Sequence, residues 1–238
     1  MTGVQTCALP ISAAVYGEKI NAPEYLRRFI DLEYGVPVAQ TKKFTEWLLL
    51  RSDLHDVFAL RTGSETRYDE QNFIEFFTAL ADVFQLSLRA RERCITRMVV
   101  VMHQTPSDHY LDPILVALLL VIRSNKPRLF QTLCNSIAAP EDVMAEISGL
   151  PGGRKLTEDR PGILIETYLL TFDPDNQRGN VRFGELQSMT NDLTLPPAQR
   201  ARAQAVIDMR GHVVKGFRSG FSFNFVAAKI DLAINVKN

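Results

Sequence analysis

Apolar residues recur every three or four positions along nearly the whole chain, and that period constrains the fold more than any other feature. Phe73, Phe76, Phe77, Leu80, Val83 and Phe84 give its clearest form, the stripe of an amphipathic helix with an aromatic face. Ser87 then reads as the N-cap of a helix from Leu88 to about His103. Earlier, Phe44, Trp47 and Leu48 mark one helix face. Tyr25, Leu26, Phe29 and Ile30 mark another, opened by Asn21 and Pro23. Later helices are expected over Leu111 to Arg123, from near Lys126, and from Pro140, with Glu141 and Asp142 at the positive end of the last. Pro196 and Pro197 open an Ala/Arg/Gln-rich helix, and Phe225 to Ile234 closes the chain with an amphipathic one. The pattern predicts an all-α fold, a multi-helix array of about ten helices.

Hydrophobic residues make up 46% of the chain, enough for a real core. Lys+Arg and Asp+Glu each number 27, so the formal net charge is +0 and carries no case for a nucleic-acid or membrane partner. The longest apolar run, Pro113 to Ile122, is bounded by Asp112 and Arg123. It falls well short of the roughly 20 residues a membrane span needs, so a buried helix is the better reading. Cys94 and Cys134 lack CxxC spacing and read as small apolar helix residues, with reducing cytoplasm as the expected compartment.

Two stretches read as loops. Residues 149–162 hold Gly149, Pro151, Gly152, Gly153, Pro161 and Gly162, and are expected to form an exposed loop or hinge between subdomains. Residues 172–180 read as a second, polar loop. No GxxxxGK[ST] phosphate loop and no GxSxG elbow occurs. His103 and His109 flank Asp108 without a metal-ligand spacing, and no metal site is expected. The aromatic segment Phe217 to Phe225 lacks interleaved lysines, so core packing or a partner surface is favoured over base stacking.

The run Leu88 to Arg97 carries Arg89, Arg93 and Arg97 at four-residue spacing on one helix face, with Arg91 between them. Two readings stand. One is a solvated basic stripe paired with Glu92 and nearby acids. The other is an arginine presented from a helix start toward a phosphate, which a planar guanidinium suits.

Two resemblances bear on the parent protein. Met1 to Ile11 is similar to the translation of a common sequencing-library adapter, which implies that the natural chain starts upstream. The block AVYGEKINAPEYLRRFIDLEYGVP resembles the segment just after the nucleotide-binding core of the KAP family of P-loop NTPases. Tyr16-Gly17, Tyr25 to Asp31 and Val36-Pro37 carry the likeness. The Phe73 to Met98 stretch, LDPILVALLLVIRSNKPRLF and the closing FVAAKIDLA are also similar to that family.

The resemblance implies the helical lid and C-terminal helical region of an AAA+/STAND-like ATPase. Residues 12–105 would be the lid, 106–148 its continuation, 149–162 the hinge and 163–238 the C-terminal region. ATP and Mg²⁺ would be cofactors of the parent, held in a nucleotide-binding core outside this sequence. That core would be the main partner and a second copy of the chain a further one. Arg89, two residues after Ser87, would be the nucleotide-sensing arginine, with Arg91 and Arg93 as backups. The family works in phage exclusion and as membrane-associated scaffolds. A structural helical interaction module without nucleotide contact is the alternative.

Overall fold

The structure is a computed structural model describing residues 40–60, 69–105, 112–135, 137–173, 175–216 and 223–235. The adapter-like segment, the Tyr25 to Ile30 helix, His109 and most of Phe217 to Phe225 lie outside the described residues.

The described residues form twelve helices and no strand. They are α1 (Thr41–Arg51), α2 (Leu54–Leu60), α3 (Asp69–Val83), α4 (Leu88–His103), α5 (Pro113–Asn125), α6 (Pro127–Cys134), α7 (Pro140–Ser148), α8 (Gly153–Glu158), α9 (Arg160–Thr171), α10 (Asn176–Asn191), α11 (Pro197–Gly216) and α12 (Phe223–Asn235). The all-α reading of the sequence therefore holds.

α5 is the hub. Pro113 to Ile122 are all buried, and α3, α4, α6 and α12 pack around it. A helix apolar on every side must be covered on every side, so these four neighbours follow from its composition. Each fully buried Leu, Ile or Val is worth about 1.5–3 kcal/mol against exposure. No described helix is long and apolar enough to cross a membrane. α3 contributes the aromatic face, with Phe73, Phe76, Phe77, Leu80, Val83 and Phe84 all buried. The α1 face differs from expectation. Leu48 and Leu49 are buried, but Trp47 turns outward with Arg51 stacked over its ring.

α3 stops in a Schellman turn. Gln85 takes φ 51°, Leu86 N donates to Ala81 O and Gln85 N donates to Asp82 O. Asn125 at the end of α5 donates to the freed Phe84 carbonyl. Ser87 then caps α4, its Oγ accepting from Ala90 N at 3.2 Å.

Residues 149–162 are not an exposed loop. They hold α8 and the start of α9, and one buried cluster runs across them through Ile147, Leu156, Ile165 and Tyr168. Gly153 and Gly162 serve close packing. Gly152 takes φ 77°, and a Cβ on Gly162 would overlap the Thr157 main chain. Pro161 sits in the first turn of α9, where its missing N–H costs nothing.

Residues 172–180 are likewise mostly ordered by a helix start. Asp175 caps α10 by accepting from Gln177 N and Arg178 N, and buried Asp173 holds Arg178 through two bonds of 2.7 Å. That bidentate bond is the main reason the Arg178 guanidinium is pushed further up from its usual range. A smaller second core, Leu170, Phe183, Leu186, Ala203 and Val206, lies where α9, α10 and α11 meet.

Candidate functional site

The first turns of α4 sort the arginine run into different environments. Arg89 is the second residue of the helix. It is exposed and has no hydrogen bond or ion pair among the described residues. Arg93, one turn on, is also exposed and unpaired in the same sense. Arg97 is half-buried, its Nη1 donating to Ser124 Oγ at 3.4 Å. The helical period puts these three on one face, as their spacing predicts.

Arg91 points elsewhere. It is buried, with Nε donating to Leu86 O at 3.1 Å and Nη2 to Asp82 Oδ1 at 2.6 Å. Asp82 also accepts from Thr41 Oγ1, so one carboxylate joins α1, α3 and α4. Arg91 therefore braces the α3–α4 turn, in contrast to the exposed Arg89 and Arg93 with which its sequence position groups it. Its remaining nitrogen, Nη1, is buried without a hydrogen-bond partner among the described residues.

A cleft of about 490 Å³ opens between α3, the start of α5, α9 and α11. Asp112 lies buried against it. Its Oδ1 accepts from Ile114 N at 2.8 Å and Leu115 N at 3.2 Å, capping α5, and its Oδ2 accepts from the Tyr168 hydroxyl. Burial pushes the Asp112 carboxyl up from the usual carboxylate range, and the Tyr168 and backbone donors pull it part of the way back. Arg160 and His212 line the cleft and are exposed.

No family model, curated protein or solved structure matches this chain.

The other groups with reactive chemistry are quiet. Cys94 is buried, and burial pushes its thiol up. The Cys134 thiol is pushed up to about 11, again first by burial. Both therefore stay protonated near neutral pH and are poor nucleophiles. His55 Nδ1 lies 2.9 Å from Glu70 Oε1 on the surface. His103 is exposed. Among the described residues no three His, Cys, Asp or Glu gather as a metal-ligand set.

Sequence reasoning missed the Asp112–Tyr168 pair. Half of it was visible, since an aspartate before a proline at the head of an apolar run signals an N-cap. The tyrosine stands 56 residues away and carried no such signal.

Proposed function

We propose that this chain is the helical lid and C-terminal helical region of a KAP-type P-loop ATPase and works as a nucleotide-coupled conformational switch. Arg89 is the side chain that meets the nucleotide's outer phosphates. The observation that supports this is the contrast within one helix turn. Arg91 is committed to the core, while Arg89, at the Ser87-capped start of α4, keeps its guanidinium exposed and unpaired among the described residues. Backbone N–H groups at a helix start add positive potential there.

Hydrolysis needs a phosphate cradle and Mg²⁺ ligands. This reading assigns both to a nucleotide-binding core outside the present sequence, and to this chain only the charge that senses phosphate and the helices that move with it. An output in phage exclusion is what the family resemblance implies.

The experiment is steady-state ATP turnover of the protein with its nucleotide-binding core. Arg89→Ala should lower turnover by about 10- to 1000-fold, as loss of other phosphate-stabilising arginines does. Folding should be nearly unchanged, because an exposed unpaired arginine carries little stability. Arg93→Ala and Arg97→Ala should do less. Arg91→Ala should instead lower the melting temperature, since it strips the buried Leu86 carbonyl of its donor and Asp82 of its ion pair. Equal, small effects at Arg89, Arg93 and Arg97 would reduce the run to a solvated stripe.

A second reading, a helical interaction module without nucleotide contact, draws on the exposed apolar side of α1. Leu50 is 71% and Trp47 46% exposed on neighbouring positions of that helix. Under this reading Trp47→Ser with Leu50→Ser abolishes association and Arg89→Ala leaves every measurable property unchanged.

A further inference from the structure

Five buried side-chain polar atoms have no hydrogen-bond partner among the described residues, and two of them, Arg182 Nε and Arg202 Nη1, belong to arginines lining one cleft. Buried donors are paired in nearly all proteins, and an unpaired one costs free energy. Arginine has five donors and no acceptor, so only an acceptor atom can relieve these two.

The cleft, about 330 Å³, is walled by α7, the end of α8, and α9 to α11. Arg202 Nη2 donates to Glu166 Oε2 at 2.6 Å, which fixes that guanidinium against α9. Arg182 Nη1 donates to Glu185 Oε2 at 2.7 Å, while its Nε lies 3.5 Å from Glu141 Oε1 without a hydrogen bond. Both side chains are about one-third exposed, 32% and 33%, while the orphaned N–H groups themselves are buried at the cleft wall.

Charge decides what kind of acceptor fits. Glu141, Glu158 and Glu166 line the cleft against two arginines. A dianion such as phosphate would meet a wall that is negative on balance. A ligand that brings its own cation avoids this. Glu158, exposed and without a hydrogen bond or ion pair among the described residues, is the open carboxylate for that cation. Met144 and Leu170 add an apolar wall. The volume is at the small end of ligand sites, about 300–1,000 Å³.

We propose that this cleft binds a small zwitterion of the α-amino-acid class. Arg182 and Arg202 hold its carboxylate, Glu158 its ammonium, and Met144 and Leu170 its aliphatic side chain. The site stands apart from α4, so it does not depend on the role of Arg89.

The test is calorimetric titration of the full chain with L-leucine and with L-methionine, alongside acetate, methylammonium and inorganic phosphate. One-to-one binding of an amino acid is expected, with no heat from the three others. Arg202→Met should weaken binding by about ten-fold or more, the usual effect of losing a charge-assisted hydrogen bond. Because Arg202 also ties α11 to α9, Glu158→Gln provides an independent check. It sits on an exposed side chain, should leave the melting temperature unchanged, and should weaken binding by about three-fold or more. Three results overturn the proposal: no binding of either amino acid up to about 10 mM, binding unchanged in both variants, or phosphate binding as tightly as the amino acid.

Discussion

The array around α5 and the three-helix unit of α9, α10 and α11 use the same secondary structure and opposite means of cohesion. α5 has 13 residues and buries ten in a row. α11 has 20 residues, yet among its side chains at positions 197–213 only Ala203, Val206 and Val213 are buried. Around α5 the contacts are aliphatic and aromatic, with Phe73 stacked on Phe77 at 5.5 Å. Around α11 arginines span the gaps. Arg202 reaches Glu166, and Arg210 lies over the Phe183 ring at 3.9 Å while donating to Asn180 Oδ1. Long arginine stems cover apolar surface and keep their charge near water. A helix short of apolar residues can thus still be anchored, at the expense of a small core and polar clefts. The cleft of about 330 Å³ lies among the arginine-tied helices, and the larger one of about 490 Å³ opens where α9 and α11 meet α3 and the start of α5.

This contrast makes quantitative predictions. The largest concerns the cores themselves. Leu118→Ala, at a fully buried position in α5, should cost about 2–5 kcal/mol in urea denaturation. Leu186→Ala in the smaller core should cost about 2 kcal/mol, since a small core relaxes more easily around a void. Hydrogen exchange should show α10 and α11 opening before α5. Equal costs and uniform exchange would break the distinction.

The packed turn between the two regions comes next. Gly162→Ala should destabilise by about 2–3 kcal/mol, because its Cβ overlaps main chain at Thr157 rather than a side chain that can swing away. A neutral effect on the melting temperature would restore the open-loop reading of residues 149–162.

Asp112 bridges the two regions, capping α5 and accepting from Tyr168 of α9. Asp112→Ala should cost about 2 kcal/mol and Asp112→Asn less, because the amide oxygen can still cap. The carboxyl is shifted up in the fold, so the native state favours its protonated form. The part of the stability linked to that proton is present at low pH and is lost as pH rises through the folded value, while the cap itself remains. Asp112→Asn should flatten that part of the stability–pH curve; an unchanged curve would assign the slope to other groups.

The smallest effect lies on the surface of the α5 array. The hydrogen bond to Glu70, and then its charge, hold His55 above the ordinary imidazole range. The shift favours the charged, folded form below the unfolded value and is lost as pH rises through the folded one. An NMR titration should show a raised His55 midpoint that Glu70→Gln returns to about 6.5. A midpoint unmoved by Glu70→Gln would place the cause elsewhere.

What the sequence determined by itself is what depends on neighbours within a turn or two. The faces of α3 and α12, the Ser87 cap, the proline starts of α7 and α11 and the burial of α5 are all local or compositional. Helix formation and capping are set by residues three or four apart, and that range is readable along the chain. The tertiary structure alone decided which side of a helix meets a partner when both sides look plausible. Trp47 shares the helical spacing of Phe44 and Leu48 yet faces out, and Arg91 lies in the same run as Arg89 and Arg93 yet turns inward to Asp82. It alone showed that Gly153 and Gly162 sit against neighbouring main chain where α8 and α9 begin. It also made the clefts, whose key pairs, Tyr168 with Asp112 and Arg202 with Glu166, stand 56 and 36 residues apart. Such pairs leave no periodic trace, because their contact depends on how whole helices pack and not on any step along one of them.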